Sequence, residues 1–147
     1  MAEKTDNVVS LTERRKEQNK RVESIIKNND NFNNILEKLA GLLDSDDLKN
    51  ADNMAETIDI LKKQIAGTKL AIHEFIKTAK KSNSPNAEEI ISKISGSILL
   101  EAGILNEDMD KIGDNPQLHI NSITNSLGKL ATITRSATES LTTQKYR

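Results

Sequence analysis

The chain has 147 residues and no cysteine, which suits one domain and excludes a disulfide framework or thiolate chemistry. Aromatics are 2% against 29% charged residues, with Gly and Pro scarce, and a compact core usually holds more rings; the profile points to extended helices that bury surface between chains. The net charge of -1 implies neither a nucleic-acid nor a membrane partner by bulk charge, and no apolar run nears the roughly 18 residues of a spanning helix.

Residues 1–9 are polar, lack the apolar core of a signal peptide and read as a mobile tail, so a soluble cytosolic protein is the expectation. Ser10-Leu11-Thr12-Glu13 is a capping-box pattern that predicts a helix start. Val22, Ile25, Asn29, Phe32, Leu36, Leu39 and Leu43 follow at three- and four-residue steps. Asn29 stands in that seam. It either fixes register as a buried polar residue or marks a break, because Asn28-Asn29-Asp30-Asn31 is a poor helix run. Arg14, Arg15, Lys16, Lys20 and Arg21 form a basic cluster diluted by Glu13 and Glu17. It reads as a phosphate-contacting patch or as a solvated helix face, and no interleaved aromatic residue supports base stacking.

Asp44-Ser45-Asp46-Asp47, with Asp52, Glu56 and Asp59 beyond, is an acidic connector. It lacks the mid-loop glycine and distal glutamate of a calcium loop. The stretch from Asp52 to Ile112 is a helical hairpin in prospect. Its first arm carries Met54, Ile58, Leu61, Ile65, Thr68, Ile72, Phe75 and Ala79 at steps of 4-3-4-3-4-3-4, a heptad seam. Lys77, Lys80 and Lys81 suit the negative end of that helix's dipole. Ser84 is the expected cap of the next helix, with Pro85 in its first position and Glu88 and Glu89 near its positive end. The second arm carries Ile91, Ile94, Ile98, Ala102, Leu105, Met109 and Ile112, and its Gly96 and Gly103 read as sites of tight helix packing.

Gly113-Asp114-Asn115-Pro116 predicts a stop and restart. The last segment, with Ile120, Ile123, Leu127, Leu130, Ala137 and Leu141, is rich in Thr and Ser after Ala131 and is expected to order only on a partner. His73 and His119 sit in no ligand-spaced cluster, so neither a metal nor a cofactor is expected. No phosphate loop, nucleophile elbow or carboxylate pair with a reason for a shifted pKa supports an enzyme. The fold expectation is all-α: a long antiparallel, coiled-coil-like helical hairpin with flanking helices, assembled into a ring. Residues 1–50 form a tail and basic helical segment, 51–113 the oligomerising hairpin, and 114–147 an amphipathic C-terminal segment. Antiparallel packing of the main helices would put the 14–21 cluster beside 77–81 and the acidic stretches 44–59 and 107–114 at the other end.

Three groups of residues carry a family resemblance. Phe75-Ile76-Lys77-Thr78-Ala79-Lys80 closes the first arm, Ser84-Pro85 makes the turn, and Glu89-Ile90, with Ile94 and Gly96, opens the second. This resembles the central hairpin of the small terminase subunit of T-even-type tailed phages, where a Phe-Leu-x-x-Ala-Lys-like run meets a Ser-Pro turn and a Glu-Val start. The match spans 73–112, about a quarter of the chain. It departs at Asn86, where the family often has a basic residue, so a phosphate role there does not carry over. The resemblance implies a non-enzymatic viral packaging subunit in the host cytoplasm. Such a subunit forms a large homo-oligomeric ring, binds double-stranded DNA, and regulates the ATPase and nuclease of the large terminase subunit. Arg14, Arg15, Lys16, Lys20 and Arg21 are then the candidate DNA contacts. Met54, Ile58, Leu61, Ile65, Ile72, Phe75, Ile91, Ile94, Ile98 and Leu105 are the candidate ring contacts. The alternative is a helical scaffold or chaperone that docks a protein partner and never touches DNA.

Overall fold

The computed structural model describes residues 2–49, 54–82 and 84–145, and the side chains of 20, 22–46, 48, 54–82 and 84–142. Among them every regular element is a helix: α1 (Ala2–Leu43), α2 (Asp46–Lys49), α3 (Ala55–Lys81), α4 (Ala87–Lys111) and α5 (Pro116–Lys145). The all-α expectation holds. The tail expected over 1–9 is instead helical from Ala2, in a stretch that contains no Gly or Pro before Gly41. The Asn28–Asn31 run does not break α1 either, because buried Ile25, Phe32 and Leu36 on either side hold the helix in place.

The turn between α3 and α4 is built largely by its own serines. The Ser84 N–H donates to the Ser82 hydroxyl at 3.2 Å, the Asn86 N–H to the Ser84 hydroxyl at 3.3 Å, and the Ala87 N–H to the Ser84 carbonyl at 3.1 Å. Regular helix begins at Ala87, two residues later than the Pro85 start expected, since Ser84 and Pro85 are used in the turn. At the α4–α5 junction Asn115 caps α5: its Oδ1 accepts the Leu118 N–H at 3.3 Å, and Pro116 takes the first helical position.

Four apolar stripes close on one another. α3 packs on α5 and α1 on α4, with α4 against α5 and α1 against α3 completing the circuit. Side-chain ties fix the directions. Lys62 meets Asp44 at 2.8 Å, so the start of α3 lies at the end of α1. Gln117 meets Thr57 at 3.5 Å and His119 meets Asp108 at 3.1 Å, so α5 starts beside the start of α3 and the end of α4. α1 and α4 therefore run one way and α3 and α5 the other. The arms α3 and α4 are joined by the expected short turn and run in opposite directions, but they are not among the closely packed pairs. Each fills its seam against α1 and α5, because those helices carry apolar stripes of their own, Val22 to Leu43 and Ile120 to Leu141. One core thus draws on all three sequence segments.

Both phenylalanines, Phe32 and Phe75, are fully buried, and Ile and Leu fill most of the rest with Val22, Met54 and alanines. The shortage of rings, read from composition as a sign of burial between chains, is met here by aliphatic packing inside one chain. A fully buried Leu or Ile contributes about 1.5–3 kcal/mol.

The Thr-rich end of α5, expected to order only on a partner, is helical to Lys145 and packs on α3 and α4. Several of its threonine hydroxyls bond back into the helix. Thr134 donates to the Leu130 carbonyl at 2.6 Å, Thr138 to Thr134 at 2.9 Å and Thr142 to Thr138 at 2.9 Å.

Candidate functional site

The ten residues expected to make ring contacts are the bundle's own core. Met54, Ile58, Leu61, Ile65, Ile72, Phe75, Ile91, Ile94, Ile98 and Leu105 are all buried within the single chain. In this conformation they offer no surface to a second copy. What a partner can reach is the outer faces and the two ends.

Of the five basic residues assigned to DNA, Lys20 is exposed, and the side chains of Arg14, Arg15, Lys16 and Arg21 lie outside the described ones. Their place along the bundle follows from α1. Asn28 Nδ2 donates to the Ser95 hydroxyl at 2.9 Å and to the Ser95 carbonyl at 3.2 Å, which sets Asn28 level with the third turn of α4. Residues 14–21 precede it, toward the end where α3 finishes and α4 begins. That end also bears exposed Lys77, Lys80 and Lys81, together with Glu88 and Glu89. The opposite end carries Asp44, Glu56, Asp59, Glu107, Asp110 and Asp114, against Lys62, Lys63 and Lys111, of which Lys62 pairs with Asp44 and Lys63 with Asp59. Asp52 of the connector lies outside the described residues.

Two polar clusters escaped the sequence reading. The first ties α1 to α4: Ser24 and Ser95 hydroxyls lie 3.4 Å apart beside Asn28. The second ties α4 to α5. His119 Nδ1 is 3.1 Å from Asp108 Oδ1, the Ser122 hydroxyl donates to Asp108 Oδ2 at 3.1 Å, and neither His119 nor Asp108 is much exposed. His119 therefore has a close carboxylate partner, while His73 is on the exposed surface. About two turns before Asp108, Glu101 faces the same interface. Burial raises its carboxyl above the ordinary range; Lys129 opposes that rise and Asp108 adds to it. Its Oε2 has no hydrogen-bond partner. A single carboxyl with a physical reason for a raised pKa is thus present, which spacing along the chain did not mark.

A groove of about 730 Å³ runs between α3 and α5, lined by Ile60, Lys63, Gly67, Gly128, Ile133 and Arg135 among others. Gly67 and Gly128 line it, and a methyl group at either would make only ordinary contact, with Arg135 or Gln64 at 3.6 Å. The Thr68 hydroxyl ties the two helices, at 2.8 Å from the Gln64 carbonyl and 3.2 Å from the Leu127 carbonyl.

Among the described residues no group of three or more His, Cys, Asp or Glu could hold a metal ion, and no helix is long and apolar enough to cross a membrane. Comparisons with protein-family models, with curated proteins and with solved structures return no match.

Proposed function

We propose that this chain is a non-catalytic DNA-packaging subunit that holds double-stranded DNA at its basic end and regulates a large terminase subunit in the host cytoplasm. The observation that supports this reading is the charge polarity of the bundle: the topology sets segment 14–21 at the same end as Lys77, Lys80 and Lys81, with the acidic residues concentrated at the other. A basic end attracts the phosphate backbone and releases its counterions, while the acidic end repels DNA and orients the rod on it. Any contact between copies would use outer faces, because the seams are filled within one chain. The test is fluorescence anisotropy with duplex DNA at several salt concentrations. Four or five phosphate contacts give a slope of about -4 in log affinity against log salt. Reversing Arg14, Arg15 and Arg21 to Glu is expected to flatten that slope and weaken binding at least about tenfold. Absence of DNA binding, or binding insensitive to salt, rejects the reading.

The second reading is a helical scaffold that docks a protein partner without DNA, and the α3–α5 groove favours it. Ile60 and Ile133 are about half exposed at its walls, with Lys63, Lys129 and Arg135 around them. That combination suits an amphipathic helix with acidic flanks. If this reading holds, Ile133→Asp abolishes partner capture and the wild-type chain leaves DNA mobility unchanged at low salt.

A further inference from the structure

We propose that the outer face of α4 is a self-association surface on which a second copy of this chain packs antiparallel. The face is a second seam, distinct from the buried one. Glu89, Lys93, Gly96, Leu100, Gly103, Glu107 and Lys111 recur at steps of 4-3-4-3-4-4, and all are exposed. Leu100 is 65% exposed and its neighbour Leu99 57%, so two adjacent leucines stand in water.

Gly96 and Gly103 flank them. A Cβ added at either would meet nothing within 4 Å, so the chain's own packing does not require glycine there. The tight packing expected of these residues has no counterpart inside the molecule. Each glycine in a helix interior costs about 1 kcal/mol relative to Ala. That cost is offset if another helix approaches closely, since interaxial distance follows the size of the side chains at the contact.

The charges identify the partner and its direction. They are antisymmetric about Leu100: Lys93 lies seven residues before it and Glu107 seven after, while Glu89 lies eleven before it and Lys111 eleven after. A two-fold axis beside Leu100 therefore sets Leu100 on its own copy, Lys93 on the partner's Glu107 and Glu89 on the partner's Lys111. A parallel pair would instead bring Lys93 onto Lys93 and Glu107 onto Glu107. None of these four charged side chains pairs with another described residue of its own chain. The contact is isologous and closes at two copies. It does not depend on the DNA reading. One helix face falls near the lower size bound for specific pairs, about 1,200 Å² in total, so the dimer should dissociate on dilution.

The test combines sedimentation velocity with cysteine cross-linking, which is free of background because the chain has no cysteine. Wild type is expected to show a concentration-dependent monomer–dimer equilibrium. Leu100→Glu should remain monomeric with unchanged helicity. Lys93→Glu should weaken the dimer at least tenfold, and adding Glu107→Lys in the same chain should restore it. Leu100→Cys should form a disulfide-linked dimer on oxidation, whereas Lys93→Cys should not. A wild-type chain that stays monomeric at every concentration, an assembly untouched by Leu100→Glu, or self-cross-linking of Lys93→Cys overturns the proposal.

Discussion

Glu101 is held where its charge is disfavoured: it is partly buried between α4 and α5, one oxygen lacks a partner, and Asp108 stands nearby. Its folded-state pKa is raised, so the folded state binds the proton more tightly than the unfolded chain. Below the ordinary carboxylate range both states are protonated and no penalty exists. As pH rises through that range the unfolded chain ionises first, and the penalty grows until the folded carboxyl ionises too. Glu101→Gln is therefore expected to raise the urea midpoint at pH 7 and to leave it unchanged near pH 3.5, with Lys129 retaining its solvation. Adjacent asparagines should respond in opposite senses. Asn28 bonds to Ser95 across the α1–α4 interface, so Asn28→Ala should destabilise by about 1 kcal/mol. Asn29 Oδ1 has no partner, so Asn29→Ala should stabilise by a few tenths of a kcal/mol from helix propensity alone. Urea denaturation of the two variants checks both. The sequence marked Asn29 because seam stepping can be counted along one helix. It could not mark Asn28, whose role depends on Ser95, 67 residues away on another helix.

At the level of elements, what repeats within a helix was legible and what depends on its neighbours was not. The seams of α3 and α4, the Ser-Pro turn and the Gly113–Pro116 restart all follow from local spacing and capping chemistry, and the structure has each of them. The pairing of α3 with α5 and α4 with α1 was not legible, because four stripes of similar width can close in more than one order. The same gap hid His119 beside Asp108, which meet only through the bend at 112–115. The Thr-rich end of α5 misled for a different reason: propensity counts threonine as a weak helix former, yet here the hydroxyls of Thr132, Thr134, Thr138 and Thr142 bond back into their own helix while Leu130, Ala131 and Leu141 are buried. α5 is accordingly an integral element. It contributes Ile120, Ile123, Leu127, Leu130 and Leu141, all at most 1% exposed. At about 1.5–3 kcal/mol each, their loss matches the typical net stability of a whole domain, about 5–15 kcal/mol. A chain ending at residue 115 is expected to lose cooperative thermal unfolding and to bind a hydrophobic dye, as followed by circular dichroism and fluorescence.

For the whole molecule the decisive quantity is how stability depends on concentration. If the α3 and α4 seams were completed by other copies, a diluted chain would have no folded form, and its unfolding midpoint would fall without limit as concentration dropped. In the structure those seams are completed within one chain, with Leu61, Ile72, Phe75 and Ile98 fully buried. The midpoint is therefore expected to fall only while the α4-mediated dimer dissociates, and then to level off at the value of a folded monomer. Leu100→Glu should sit on that plateau at every concentration, because its only defect is on the outer face. Substitution in the shared core should behave differently: Phe75→Ala is expected to lower the plateau itself by about 3–5 kcal/mol, equally at all concentrations. Urea melts of the wild-type, Leu100→Glu and Phe75→Ala chains from high nanomolar to high micromolar separate the two layers of interaction. A wild-type midpoint that keeps falling to the lowest concentration would place the core between chains rather than inside one.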